Sequence, residues 1–178
     1  MTRYLPFLFL FFLVISCRSA KDLGQSSEGS ISVVGMIKKH HPYCGGAKPP
    51  PQVEKGYLSP LANQTFYIKR GVVNHDTLEI VNQIFTGSKG QFNCNLDIGT
   101  YALIFPEKNE TFQKFYKQAK VETRFLKAAD VDCFLRWWRA PEAIFQVSDT
   151  SSNIQCIVQH TCDAGFNPCL TYVGPKRK

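Results

Sequence analysis

The chain has 178 residues, about one fifth of them charged, with a formal net charge of +7 and seven cysteines. That length suits a single domain with one core. The positive charge is scattered, apart from Lys176-Arg177-Lys178 at the end, and no helix-turn-helix or RNP-like pattern is present, so a nucleic-acid partner is not expected.

The N-terminus begins with Arg3 and an apolar run from Leu5 to Ile15. This run is too short for a spanning helix, which needs about 20 residues, and has the size of a secretory h-region. It ends in Val14-Ile15-Ser16-Cys17, which resembles a bacterial lipobox. That resemblance implies a signal peptide over 1–16, cleavage before Cys17, and lipidation (palmitate among the acyl chains) of Cys17. Several acyl chains satisfy the need for more than one in stable anchoring. The alternative is an ordinary signal cut near Ser19-Ala20. Removing residues 1–16 takes away Arg3 and leaves +6. With Cys17 consumed by lipid, six cysteines remain: Cys44, Cys94, Cys133, Cys156, Cys162 and Cys169. An even number in an oxidising compartment is expected to form three disulfides, with 15 possible connectivities.

Residues 17–30 are polar and rich in Gly and Ser, and read as a flexible tether. A single domain is expected over 31–178. Ile31–Lys39 is rich in β-branched residues and is the first expected strand. Residues 40–60 carry five prolines and three glycines, so an irregular loop pinned by Cys44 is expected. Strands follow at 64–70 and 76–86, the latter with a slip in alternation that predicts a bulge near Val81–Gln83. Phe92, Cys94 and Leu96 alternate with Asn93, Asn95 and Asp97, placing Cys94 inward. A disulfide to another strand is expected for Cys94, with Cys156 the first partner to consider. Tyr101, Leu103 and Phe105 share a face in the next strand.

The period then changes. From Asn109, a good N-cap, Phe112, Phe115, Tyr116, Ala119, Leu126 and Ala129 follow helical spacing. Asp130 is placed to cap a second helix over 131–139, stopped before Pro141. Strands return at 143–148 and 153–160.

The stretch Thr86-x-x-x-Gly90-x-Phe92, then Leu96-x-x-Gly99-Thr100-Tyr101, is similar to the carboxypeptidase regulatory-like domain. Gly35-Met36-Ile37 and Pro60-Leu61 through Phe66-Tyr67-Ile68 extend the likeness. It covers roughly residues 31–106. Gly87 stands where the pattern has an acidic residue, and "LDIG" replaces the usual "LPxG". The resemblance implies a mainly β, transthyretin-like (prealbumin-like) β-sandwich of about seven strands, here with an α-helical insertion near 109–140. Domains of this kind beside carboxypeptidases are noncatalytic, and the resemblance implies the same here. The segments "PYCGGA", "FYIKRG", "CFLRWW" and "NPCLTYVGP" also resemble Gram-negative envelope proteins that carry this domain.

The chemistry read from the residues is sparse. No G-x-S-x-G, H-E-x-x-H or paired-carboxylate stretch is present, so no catalytic residue is assigned and no enzyme is expected. His40, His41 and Cys44, with His160-x-Cys162, have donor types that suit zinc or copper. Against a metal stand the spacing and an oxidising compartment, and no metal or cofactor is assigned. Trp137 and Trp138 lie about 100° apart on their helix. Core packing is the simpler reading; an exposed Trp near Tyr43 and Tyr57 would suit a protein or glycan partner. The expected function is a noncatalytic envelope lipoprotein that serves as a binding or structural module, with anchoring to the outer membrane through Cys17 implied by the lipobox resemblance. The rival is a metal-handling or redox protein built on the His40/His41/Cys44 loop.

Overall fold

A computed structural model of the chain describes residues 29–149 and 153–175. Cys17, the signal segment and nearly all of the tether fall outside the described residues. The fold is mainly β, a sandwich of two four-stranded sheets with a small helical insertion.

Sheet A is organised around β1 (Ile31–His41). β5 (Gln91–Leu96) and β2 (Tyr57–Pro60) lie end to end along one side of β1, both antiparallel. β9 (Asn153–Gln159) runs parallel to β1 on the other side. Gly90 sits where β1 changes partner. The Ile37 N–H donates to the Gly90 carbonyl (2.8 Å), and the Leu61 N–H donates to the Ile37 carbonyl (2.9 Å). Gly90 has φ +75°, a region that a Cβ disfavours, and a Cβ there would also strike the Ile37 carbonyl oxygen.

Sheet B has the order β4 (Ile80–Phe85), β3 (Thr65–Arg70), β6 (Gly99–Ile104), β8 (Ala143–Val147). The predicted bulge is present. Ile68 opposes Asn82 and Lys69 opposes Ile80, so Val81 is the extra residue. Inward side chains of both sheets, among them Val33, Ile37, Phe66, Tyr101, Phe145 and Val158, form the core between them.

The seven strands read from alternation are β1, β3, β4, β5, β6, β8 and β9. Three shorter ones complete the set among the described residues: β2, and the pair β7 (Leu126–Ala128) and β10 (Leu170–Tyr172). The segment 40–60, expected as an irregular loop, instead holds the end of β1, all of β2 and one turn of helix, α1 (Pro51–Glu54), which begins at Pro51 because a proline at the first helical position loses no hydrogen bond.

The insertion differs from its sequence reading in the bounds of its first helix and in the place of Leu126. The helix α2 (Phe112–Ala119) starts after Thr111, not Asn109, and ends before Lys120. Leu126 belongs to β7, whose pairing to β10 overrides the helical spacing. The helix α3 (Val131–Arg139) stands as expected, with Asp130 Oδ1 accepting the Cys133 N–H (2.8 Å). Phe115, Phe134, Trp138 and Leu170 make a second core, laced by the Cys133–Cys169 disulfide.

A buried polar joint ties this insertion to the sandwich. Lys108 and Glu142 form an ion pair with side chains 1% and 5% exposed. Glu142 Oε2 accepts the Phe105 N–H (3.1 Å), and Lys108 Nζ donates to the Ala140 carbonyl (2.9 Å). Asn74 Nδ2 donates to the carbonyls of Lys108 (2.7 Å) and Trp138 (2.9 Å). Burial pushes the Glu142 carboxyl up and the Lys108 ammonium down, and their mutual attraction opposes both shifts.

Candidate functional site

The ends of three neighbouring strands of sheet A reach past the core and carry rings. Continuing the inward alternation of β1 from Val33 and Ile37 gives His41. Continuing that of β9 from Cys156 and Val158 gives His160. Tyr57 faces His41 across the β1–β2 pair. The His160 N–H donates to the His40 carbonyl (3.1 Å), which holds the β9 end beside β1.

The three rings lie side by side. Tyr57 stacks on His41 with centroids 4.5 Å apart and planes 9° from parallel. His41 and His160 are 5.2 Å apart. His160 meets Phe166 edge-on at 5.3 Å, and Phe166 meets the core residue Phe105 at 5.0 Å. The row is thus continuous with the sandwich core, which fixes its ring positions. His41 Nε2 lies 2.9 Å from Ser59 Oγ, so its orientation is set by a strand neighbour as well.

Two loops fence this row, one leaving β1 and one leaving β9, and the disulfide Cys44–Cys162 joins them with Cα atoms 5.4 Å apart. The result is a cleft of ≈ 520 Å³, lined by His41, Tyr43, Gln52, Val53, Tyr57 and His160 among others. That volume is in the usual range for small-molecule pockets, about 300–1,000 Å³. No Asp, Glu, Lys or Arg is among its lining residues. Burial first, then the charges of Lys39, His160 and His40, hold the His41 imidazole below its ordinary pKa. The cleft is aromatic and preformed, with no carboxylate, ammonium or guanidinium group in its lining.

Each residue singled out in the sequence has a definite place. Cys44, Cys162, Cys133 and Cys169 are in disulfides. Cys94 and Cys156 are free thiols, which corrects the expectation that they pair. Cys94 opposes Val33 on one side of β1, and Cys156 opposes Ile37 on the other. Two strand spacings, about 9.6 Å, and an offset of about 13 Å along the strand separate them. A disulfide needs Cα atoms within about 7 Å. Burial pushes both thiols up to about 11.

The donor set imagined for a metal is not assembled. The sulfurs of Cys44 and Cys162 are bonded to each other. His40 uses both ring nitrogens, Nδ1 at 2.9 Å from the Gln159 side-chain oxygen and Nε2 at 2.8 Å from the Lys55 carbonyl. Among the described residues, no group of three or more His, Cys, Asp or Glu side chains gathers in a metal-binding arrangement. Trp138, 4% exposed, is in the insertion core. Trp137 packs on Phe115 (5.0 Å), and Lys108 Nζ lies 5.1 Å from its ring centroid.

The Ser59–His41 contact has the distance of a nucleophile–base pair, but it lacks the third member. Among the described residues, no carboxylate or carbonyl is hydrogen-bonded to His41 Nδ1 to orient and charge-balance the imidazole, as a triad requires. A second cavity, ≈ 160 Å³, lies between Glu142, Trp137 and Phe166. It is below the usual ligand-pocket size, and the ion pair beside it is already partnered.

No family model, curated protein or solved structure matches the chain.

Proposed function

We propose that the chain is a noncatalytic lipoprotein of the bacterial cell envelope. Cys17 anchors it to the bilayer, residues 17–30 serve as tether, and the sandwich is a transthyretin-like, carboxypeptidase regulatory-like domain acting as a binding module. The ligand seat is the cleft between Tyr57, His41 and His160.

The observation that carries this reading is the ring row itself. Three strands anchored in one core present three rings to a cleft whose two walls are joined by a disulfide. Such rigidity reduces the ordering cost of binding, and beside its two imidazoles the lining holds no carboxylate, lysine or free thiol. The envelope assignment is supported by the two disulfides, which persist in oxidising compartments. The domain assignment is supported by Gly90 with its positive φ, Phe92 in the core and Tyr101 on the facing sheet.

Metabolic labelling with palmitate tests the anchor. Label is expected in the wild-type protein and not in Cys17→Ala, with the wild type in the membrane fraction. An unlabelled wild type would refute the lipoprotein reading.

A further inference from the structure

We infer that the cleft is a saccharide subsite, and that its ligand is an uncharged sugar ring lying flat against Tyr57. This rests on the reading of the cleft as a ligand seat and names the class of ligand.

Tyr57 supplies the platform. One of its faces is covered by the parallel His41 ring, which fixes its plane. The residue is still 63% exposed, so its other face is open to a ligand. The face of an aromatic ring carries negative potential and its edge positive. It attracts the weakly positive C–H bonds that a pyranose presents together on one side. A sugar has hydroxyls around its rim, and these need hydrogen-bond donors and acceptors. The lining provides them in the His160 ring, His41 Nδ1, the Gln52 amide and the Tyr57 hydroxyl.

The lining also argues against other ligands. A phosphate, a carboxylate or a cation would surrender its hydration and meet no counter-charge among the lining residues. A purely apolar ligand would leave the imidazole and amide groups without partners. A peptide joining by strand addition would use the free edge of β2. In the antiparallel register of β2 with β1, Tyr57 and Ser59 point their backbone groups toward β1, leaving those of Leu58 and Pro60 outward. Pro60 has no N–H, so this edge offers one donor, which is too little for a strand.

The test uses the full-length protein in detergent and four probes: N-acetylglucosamine trisaccharide, maltotriose, a trisaccharide of uronic acids, and a proline decamer. Ligand-observed magnetic resonance and calorimetry read binding for the wild type, Tyr57→Ala and Tyr57→Phe, with circular dichroism to confirm folding. At least one neutral trisaccharide is expected to bind. Tyr57→Ala is expected to weaken it ten-fold or more and Tyr57→Phe less than three-fold. The uronic acid is expected to bind more weakly than the neutral sugars. Tyr57-dependent binding of the proline decamer alone would overturn the saccharide class and leave the seat standing. Binding of sugars unaffected by Tyr57→Ala, or no Tyr57-dependent binding of any probe, would overturn both.

Discussion

Replacing Cys44 and Cys162 together by Ser is expected to cost more stability than replacing Cys133 and Cys169. The two bonds close loops of different length, with sequence separations of 118 and 36. The chain-entropy relation assigns about 5 kcal/mol to the longer loop and about 4 kcal/mol to the shorter at 25 °C. Either is a large part of a typical stability of about 5–15 kcal/mol. For a chain of this size, each kcal/mol moves the melting temperature by about 2–4 °C, so losing Cys44–Cys162 should lower it by on the order of 10–20 °C. Urea unfolding followed by tryptophan fluorescence and by far-ultraviolet dichroism gives both midpoints and slopes. The Cys44/Cys162 variant should show the lower midpoint and a steeper slope, because its unfolded chain is no longer cross-linked and exposes more surface. It should also lose Tyr57-dependent ligand binding, since its two cleft walls are no longer joined. An unchanged midpoint, or a larger loss in the Cys133/Cys169 variant, would refute the argument from loop closure.

Two further expectations concern buried chemistry. Glu142→Gln leaves the Lys108 charge buried without its partner and should destabilise the protein by about 3–5 kcal/mol, whereas the double change Lys108→Met, Glu142→Leu should recover most of that loss; a near-neutral Glu142→Gln in urea unfolding would contradict the buried pairing. The thiols of Cys94 and Cys156, pushed up to about 11 by burial, should be alkylated at pH 8 roughly 100-fold more slowly in the native protein than in urea, because the thiolate fraction falls about tenfold per pKa unit. The folded state holds these protons more tightly than the unfolded chain, so the stability that goes with them is full below the ordinary thiol value of 9.0 and is lost as pH rises from there to about 11. Peptide mapping that finds Cys94 or Cys156 in a disulfide would overturn this assignment.

The seven long strands were legible because each runs for five residues or more, and all but the bulged β4 keep their sequence alternation. β2, β7 and β10 were not, since three or four residues carry too little period to read. Leu126 fits a helical stripe as well as a strand, and only the arrival of Tyr172 opposite it decides. The same limit governed the site. His41 and His160 follow directly from extending the inward alternation of β1 and β9 past the core. Tyr57 does not, because its place beside His41 depends on β2. The Cys94–Cys156 pairing failed for a related reason. Alternation places both thiols inward, but it says nothing about the strand order that puts β1 between them. The Lys108–Glu142 pair left no signal, because one partner precedes the insertion and the other follows it.

The parallel union of β1 with β9 has a consequence for how the protein matures. β1 is made early, yet its register with β9 joins Val34 to Asn153 and His40 to Gln159, contacts about 120 residues apart in sequence. Contacts of that range are paid for in loop entropy before they are rewarded, and they slow folding. Until β9 docks, Cys156 is uncovered, and the thiols of the six cysteines among the described residues compete for partners. Docking of β9 buries Cys156 and, in the same movement, carries Cys162 to Cys44. The Cys44–Cys162 bond is therefore a late, order-dependent event: it seals a sheet that has already chosen its register, and oxidation ahead of docking would trap the chain with the wrong sulfurs joined.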